Sequence, residues 1–255
     1  MIEAHGLTDP GRKRQNNEDS MGLDPAMGLA MVADGMGGHQ SGEVASSLAV
    51  ETIREFVERA LWDGDLTWPF GLDPGRSLAA NCLDTAIRLA NRRVFREAGL
   101  RDSLTGMGTT IVVVLVRDGR LAYAGVGDSR AYLLRGRTLR QLTRDDSWIE
   151  AAVSQRLIAS GERHKHPFRH VLTKAVGLNE DVEFEVGEEA LEVGDRILLC
   201  SDGLTSVLAD EQIQQLLEAH REDVSAACAG LVAAANAGGG PDNVTTVLLR
   251  VTDTQ

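Results

Sequence analysis

The sequence predicts a mixed α+β protein: a central β-sandwich with helices packed outside it. Two observations carry this. Helical stripes come in adjacent pairs rather than after every strand, which argues against a doubly wound parallel sheet. Strand signals in the middle of the chain return through tight turns, and consecutive pairing of that kind makes antiparallel sheet. Hydrophobic residues are 43% of the chain but aromatics only 4%, so the core must rest on Val, Leu, Ile and Ala.

Each element has a local reason. Residues 28–34 (Gly-Leu-Ala-Met-Val-Ala-Asp) read as a buried strand ending in an acidic turn. Ser41 is placed to cap a helix whose apolar stripe is Val44, Ala45, Leu48, Ala49, Ile53, Phe56, Val57 and Leu61. A second helix is expected over about 75–98, with Leu78, Ala79, Cys82, Leu83, Ala86, Ile87, Ala90 and Val94 as its stripe and Gly99 as its stop. Residues 109–117 are β-branched and apolar. Asp118-Gly119 then turns the chain into a returning strand, 121–127. Residues 130–135 and 138–142 make another hairpin around Gly136. Helical patterns return at 210–220 and 223–235, and the last strand is 244–251.

No linker, repeat or low-complexity tract interrupts the 255 residues, so one domain over 1–255 is expected. The net charge of −12 disfavours nucleic acid and an anionic membrane surface as partners. No apolar run is long enough for a bilayer span, and the N-terminus lacks a signal pattern. Cys82, Cys200 and Cys228 are odd in number, with no CxxC pair. They read as buried free thiols in a cytoplasmic, soluble protein. Cys200 closes an apolar run and is taken as packed, not nucleophilic.

Chemistry gathers in five segments. They are Arg14-Gln15-Asn16-Asn17-Glu18-Asp19, Ala33-Asp34-Gly35-Met36-Gly37-Gly38, Gly127-Asp128-Ser129-Arg130, Cys200-Ser201-Asp202-Gly203 and Gly240-Pro241-Asp242-Asn243. Each alone is an ordinary turn. Together they place acids near strand ends, which is how a fold gathers carboxylates around a hard cation. Carboxylate and carbonyl oxygens suit Mg²⁺ or Mn²⁺ rather than Zn²⁺ or copper. Asp34 is expected to bridge two ions, with the Gly35 carbonyl beside it. Asp202 and Asp242 complete one ion's shell, and Glu18 and Asp19 serve the other directly or through water. Two ions about 3.5–4 Å apart share a water and lower its pKa, making hydroxide for in-line attack on phosphorus. Arg14, with its forked guanidinium, is placed to clamp phosphate oxygens.

In order and spacing these segments resemble the metal-dependent Ser/Thr protein phosphatases, the PPM or type 2C family, in compact bacterial form. The likeness runs from Gly6-Leu7-Thr8-Asp9 to Val244-Thr245-Thr246-Val247. It takes in Gly106-Met107-Gly108-Thr109-Thr110 and Val171-Leu172-Thr173-Lys174-Ala175-Val176-Gly177 on the way. The resemblance implies a four-layer α-β-β-α sandwich, two mostly antiparallel sheets flanked by helix pairs, with a dinuclear Mn²⁺/Mg²⁺ centre at one end. It implies that Asp34, Gly35, Asp202 and Asp242 are ligands. Asp19 is reached mostly through water with Glu18 beside it, Arg14 binds phosphate, Asp128 helps hold a third, weaker ion, and Asn243 supports Asp242.

The activity implied is hydrolysis of phosphoserine and phosphothreonine on proteins without a phosphoenzyme, opposing a Hanks-type Ser/Thr kinase. A monomer is expected. The alternatives are a phosphatase-like regulatory domain with weak turnover and another two-metal phosphoester hydrolase. Animal members carry a proton-donating His where this chain has Met36, which has no proton to give. His39 and a metal-bound water are the two candidate acids. Residues of about 145–170 form the expected flap, with Trp148 expected to pack it against the body of the protein rather than stack on a ligand. Its His164, His166 and His170 read as exposed polar groups, a zinc site being the alternative.

Overall fold

A computed structural model describes residues 1–38, 41–63, 66–158, 166–168 and 171–253. Its strands are β1 (Ile2–Asp9), β2 (Asp19–Asp24), β3 (Leu29–Met36), β4 (Gly108–Thr109), β5 (Ile111–Arg117), β6 (Arg120–Val126), β7 (Arg130–Arg135), β8 (Thr138–Gln141), β9 (Val186–Ala190), β10 (Arg196–Cys200) and β11 (Val244–Val251). Its helices are α1 (Ser41–Trp62), α2 (Leu78–Leu100), α3 (Trp148–Ser154), α4 (Asp202–Thr205), α5 (Asp210–Ala219) and α6 (Val224–Ala237).

One sheet has the order β1-β11-β10-β7-β8. The other runs β2-β3-β5-β6-β9, with β4 paired to β3. Every pairing between these strands is antiparallel. Helices α1 and α2 cover the outer face of the β3 sheet, burying Ala45, Ile53, Leu83 and Ile87 against Leu29, Met31, Val113 and Leu115. Helices α5 and α6 cover the other sheet, burying Ile213, Leu217 and Leu231 against Leu198 and Leu248. Between the sheets lies a third core of Ala30, Val32, Val112, Val114, Ile197, Leu199, Val247 and Leu249. The expected four-layer α-β-β-α sandwich is therefore the observed one.

The inter-sheet core positions the site through the two-residue period of a strand. Ala30 and Val32 face inward, so Asp34 follows them on that face. By the same count Val112 leads back to Thr110, Ala131 to Ser129, Leu199 on to Ser201 and Val247 back to Thr245. Five strands and their extensions thus bring polar side chains to one end of an apolar layer. Each fully buried Val, Leu or Ile contributes roughly 1.5–3 kcal/mol relative to exposure. These rows therefore hold the register, because a one-residue slip would turn the apolar set and Asp34 to the opposite face.

Several boundaries differ from the expected ones. Strand signals at β1, β2 and β9 were too polar or too short to stand out. Helix α2 starts at Leu78 behind a Ser77 cap and runs through Gly99, ending at an extended Arg101. Val44 and Leu78, read as stripe residues, are exposed. The expected strand 109–117 breaks at Thr110, whose backbone and side chain turn to Asp34 instead. The Asp118-Gly119 turn is as expected, both residues having positive φ, 51° and 68°. Residues 145–170 contain α3, with Trp148 stacked on His166 at 4.8 Å and edge-on to Phe168 at 5.3 Å. Trp148 therefore packs within this segment. His39, His164 and His170 lie outside the described residues.

Candidate metal centre

A cleft of about 740 Å³ opens at the polar end of the sandwich, and Glu18, Asp34, Asp128, Asp202 and Asp242 all line it. Asp19 is buried just behind them, 8% exposed. The fold assembles these groups from five stretches of chain. Asp34 is the third-last residue of β3, held at its backbone by Thr110: Asp34 N donates to Thr110 Oγ1 at 3.0 Å, and Thr110 N donates to Asp34 O at 2.8 Å. Asp202 opens α4, directly after β10. Asp242 precedes β11 by two residues. Asp128 sits in the turn between β6 and β7, where Gly127 takes φ 100°.

Gly35 is required by close approach. A Cβ there would collide with the carbonyl oxygen of Gly42 and lie 2.7 Å from that of Glu18. The loop carrying Glu18 is thus seated on β3, and Gly35 N donates to Glu18 O at 3.1 Å. The side chain of Asn243 secures the same loop. Its Oδ1 accepts Glu18 N at 2.8 Å, and its Nδ2 donates to Pro10 O and Asn16 O at 3.0 and 2.9 Å. Its backbone N–H reaches Asp242 Oδ1 at 2.9 Å. Asn243 therefore touches Asp242 through the main chain and holds the Arg14–Glu18 loop through its side chain.

Arg14 lies at the cleft mouth and donates from Nη2 to Asp242 Oδ2 at 2.7 Å. Asp19 is tied by one oxygen only: Oδ2 accepts Ser201 Oγ–H at 2.8 Å and Thr245 Oγ1–H at 2.6 Å. Among the described residues its other oxygen, Oδ1, is buried with no hydrogen-bond partner. On the far side of Asp128, Asp146 N donates to Gly127 O at 2.7 Å, and Arg130 grips Asp145 at 2.7 and 2.9 Å. Residues 145 and 146 are therefore fastened to the turn that carries Asp128.

The electrostatics are those of crowded acids. Burial, opposed by bonds from Thr245 and Ser201, pushes the Asp19 carboxyl up to about 7, with Asp202 and Asp242 adding repulsion. Burial and the neighbouring carboxylates hold Asp34 well above the usual carboxylate range. Asp128 is also pushed up to about 7, by burial first and then by Asp202 and Asp145. Glu18 is raised by burial, with Arg14 pulling the other way. A divalent ion would reverse this penalty, because it replaces mutual repulsion with attraction to a shared charge.

The residues fit such an ion. All the donors are oxygens, the Asp19 oxygen is buried and unspent, and Gly35 brings backbone close to the carboxylates. Among the described residues, no three of these side chains stand close enough to hold an ion without shifting. The Arg14–Asp242 pair is one contact that would have to loosen. Cys200 is fully buried, and burial pushes its thiol up to about 12, so it is no nucleophile. Cys82 and Cys228 are likewise buried and free. The residues that the sequence reading missed are Ser201, Thr245, Thr110 and Ser129. Their signal was the inward-facing period of their strands, carried one step past the last apolar residue.

The same architecture exists in known proteins. The serine/threonine protein phosphatase PstP of Mycobacterium tuberculosis is 38% identical over 246 residues, covering 96% of this chain and 44% of that protein. The chain therefore spans less than half the length of PstP. The serine/threonine phosphatase stp of Listeria welshimeri is 33% identical, with 97% of this chain and 95% of that one aligned. A crystal structure of the M. tuberculosis PstP/Ppp superposes with a TM-score of 0.86 at 35% identity, covering 99% of each chain. One of the PstP catalytic domain, in complex with two manganese ions, gives 0.84 at 34% identity, again over 99% of each. The family profile described as Protein phosphatase 2C matches residues 11–236, which include four of the five acidic segments. On sequence and on fold, this chain belongs to the type 2C protein phosphatase family.

Proposed function

We propose that residues 1–255 form one metal-dependent protein serine/threonine phosphatase domain acting on phosphoserine and phosphothreonine of other proteins. One observation carries this reading above the others. Five carboxylates line a single cleft while a sixth, Asp19, keeps a buried oxygen without a partner beside them. A bound cation would offset the repulsion of that arrangement and give the buried oxygen a partner.

Asp34, Asp202 and Asp242, with the Gly35 carbonyl, would hold Mn²⁺ or Mg²⁺, joined by Asp19 and Glu18 and, for a further ion, Asp128. When bound, such ions polarise phosphoryl oxygens and lower the pKa of water toward neutrality. The two manganese ions of the PstP structure support that choice. Arg14 would exchange its pairing with Asp242 for the substrate phosphate, which its forked guanidinium matches. Neither Thr110 nor Cys200 is set up to form a phosphoenzyme. Thr110 Oγ1 is engaged by Asp34 N and by Ser129 Oγ at 2.7 Å, and Cys200 is sealed in the core. Water is the proposed attacking group.

Met36 lines the cleft and donates no proton. The proton for the leaving alcohol must come from water or from His39. The partners proposed are phosphoproteins, among them a Ser/Thr kinase and its targets, and the setting proposed is cytoplasmic signalling by a monomer. Three buried free thiols support a reducing compartment. Among the described residues no helix is long and apolar enough to cross a membrane.

The test is hydrolysis of a phosphothreonine peptide and of a small phosphate ester with added Mn²⁺ and with chelator. Metal-dependent turnover favouring the peptide is the expected result. Turnover of the small ester alone would point to a different phosphoester hydrolase.

A further inference from the structure

We infer that Thr245 and Ser201 are positioning residues that aim the free oxygen of Asp19 at a divalent cation. The inference rests on the proposed role of Asp19 as a metal ligand.

In the ionised form that would meet a cation, the Asp19 carboxylate only accepts, and the hydrogen bonds around it then fix where the protons point. Thr245 Oγ1–H and Ser201 Oγ–H both donate to Oδ2, at 2.6 and 2.8 Å. Having spent its one proton, Thr245 Oγ1 must accept from Thr8 Oγ1–H, 2.7 Å away. Thr8 Oγ1 in turn accepts from Asn17 Nδ2–H at 2.8 Å. Asn17 closes the ring, because its Oδ1 accepts Asp19 N–H at 3.1 Å. A one-directional circuit therefore runs from the Asp19 amide through Asn17, Thr8 and Thr245 back to the Asp19 carboxylate. Ser201 is fixed independently, its Oγ accepting Thr245 N–H at 3.0 Å.

The frame behind the circuit is rigid. Thr8 and Thr245 are register partners across β1 and β11. Thr245 and Ser201 are wholly buried. Thr245 lies in β11 and Ser201 just past the end of β10 in the same sheet, while Asp19 belongs to the other. With both lone-pair directions of Oδ2 occupied, the carboxylate plane is set, and Oδ1 is left buried without a hydrogen-bond partner among the described residues, within electrostatic reach of Asp202 and Asp242. Groups that orient a metal ligand in this way typically change affinity by about 10–100-fold when removed.

The experiment is Mn²⁺ titration by calorimetry on the metal-stripped protein, with thermal melting in chelator as a fold control. The variants are Thr245→Val, Thr245→Ser, Ser201→Ala and Asp19→Asn. Thr245→Val keeps the shape and loses the proton; it should weaken one class of Mn²⁺ site by about tenfold or more. Thr245→Ser restores the hydroxyl and should bind within about threefold of the parent. A purely structural role would instead move the melting point and leave the titration alone. Asp19→Asn weakened with Thr245→Val and Ser201→Ala unchanged would overturn the positioning role. Asp19→Asn titrating like the parent would overturn the reading beneath it. Should Thr245→Val not fold, Thr8→Val breaks the circuit at an exposed residue, and unchanged affinity there and in Ser201→Ala defeats the inference.

Discussion

Asp19 and Asp34 are register partners across β2 and β3, so both carboxylates stand on the face turned toward the opposite sheet. Directly opposed residues of an antiparallel pair lie about 4.5–5.5 Å apart at Cβ, and like charges there are destabilising. The sandwich therefore holds a built-in repulsion at one end of an otherwise apolar layer.

Replacing Asp34 separates stability from activity. Asp34→Asn keeps the shape and removes a charge that burial and four carboxylates disfavour. The metal-free variant should melt higher than the parent near neutral pH, while phosphopeptide turnover falls by at least about 100-fold. Melting in chelator and a Mn²⁺-dependent assay check the two halves. Substantial turnover in Asp34→Asn would remove it from the centre.

The pH dependence has a definite sign. Asp19 and Asp128 have folded-state pKa values raised from 3.8 to about 7. Over that interval the native protein binds more protons than the unfolded chain, so its stability falls as pH rises. Melting temperature in chelator should drop between about pH 5 and about pH 8, and Asp19→Asn should make the drop shallower. Mn²⁺ should offset it. A flat profile in chelator would contradict the crowding of these acids.

Arg14 is half exposed and touches only one acid of the cleft by hydrogen bond, Asp242 at 2.7 Å. Arg14→Ala should raise KM for a phosphothreonine peptide about tenfold, with a smaller change in kcat. Arg14→Lys should recover part of the loss, because it keeps the charge without the fork. Steady-state kinetics decide it, and an unchanged KM would exclude a phosphate clamp.

Asp128 differs from the other acids in that the turn carrying it is tied to residues 145 and 146, through the Gly127–Asp146 and Arg130–Asp145 bonds. Asp128→Ala should weaken the loosest class of Mn²⁺ binding and lower turnover, leaving the tighter sites in place. A titration identical to the parent's would remove Asp128 from metal binding.

Cys200 gives a negative control. Its thiol is fully buried and pushed up to about 12. Iodoacetamide should leave the native enzyme active and Cys200 unlabelled, as read by mass spectrometry, with labelling appearing only on unfolding. Inactivation through Cys200 labelling in the native protein would reopen covalent catalysis.

Much of this was legible in the sequence. The strand over 244–251 matched the structure residue for residue, because it is built of β-branched and apolar residues with only Arg250 charged. The two helix pairs and the Asp118-Gly119 turn were likewise visible in periodicity and turn chemistry. The acids were legible because aspartate beside glycine at the ends of apolar runs has few other uses when repeated. What was hidden depended on tertiary pairing. Strands β1 and β2 carry too few apolar residues to announce themselves, and only their neighbours β11 and β3 make them strands. The hydroxyls of Thr245 and Ser201 looked like ordinary strand residues, since nothing local reveals that Asp19, over 180 positions away, is their acceptor. Gly99 missed the stop by one residue: α2 closes at Leu100, both positions being exposed, so nothing packed there marks the end.

Strand β11 lies between β1 and β10, and with the residues just before it brings Asp242, Asn243 and Thr245 to the cleft. One short segment is thus shared by a sheet interior and by the acid-lined cleft. A proteolytic cut just ahead of this strand would disturb both together, so loss of the fold and loss of the cleft should coincide.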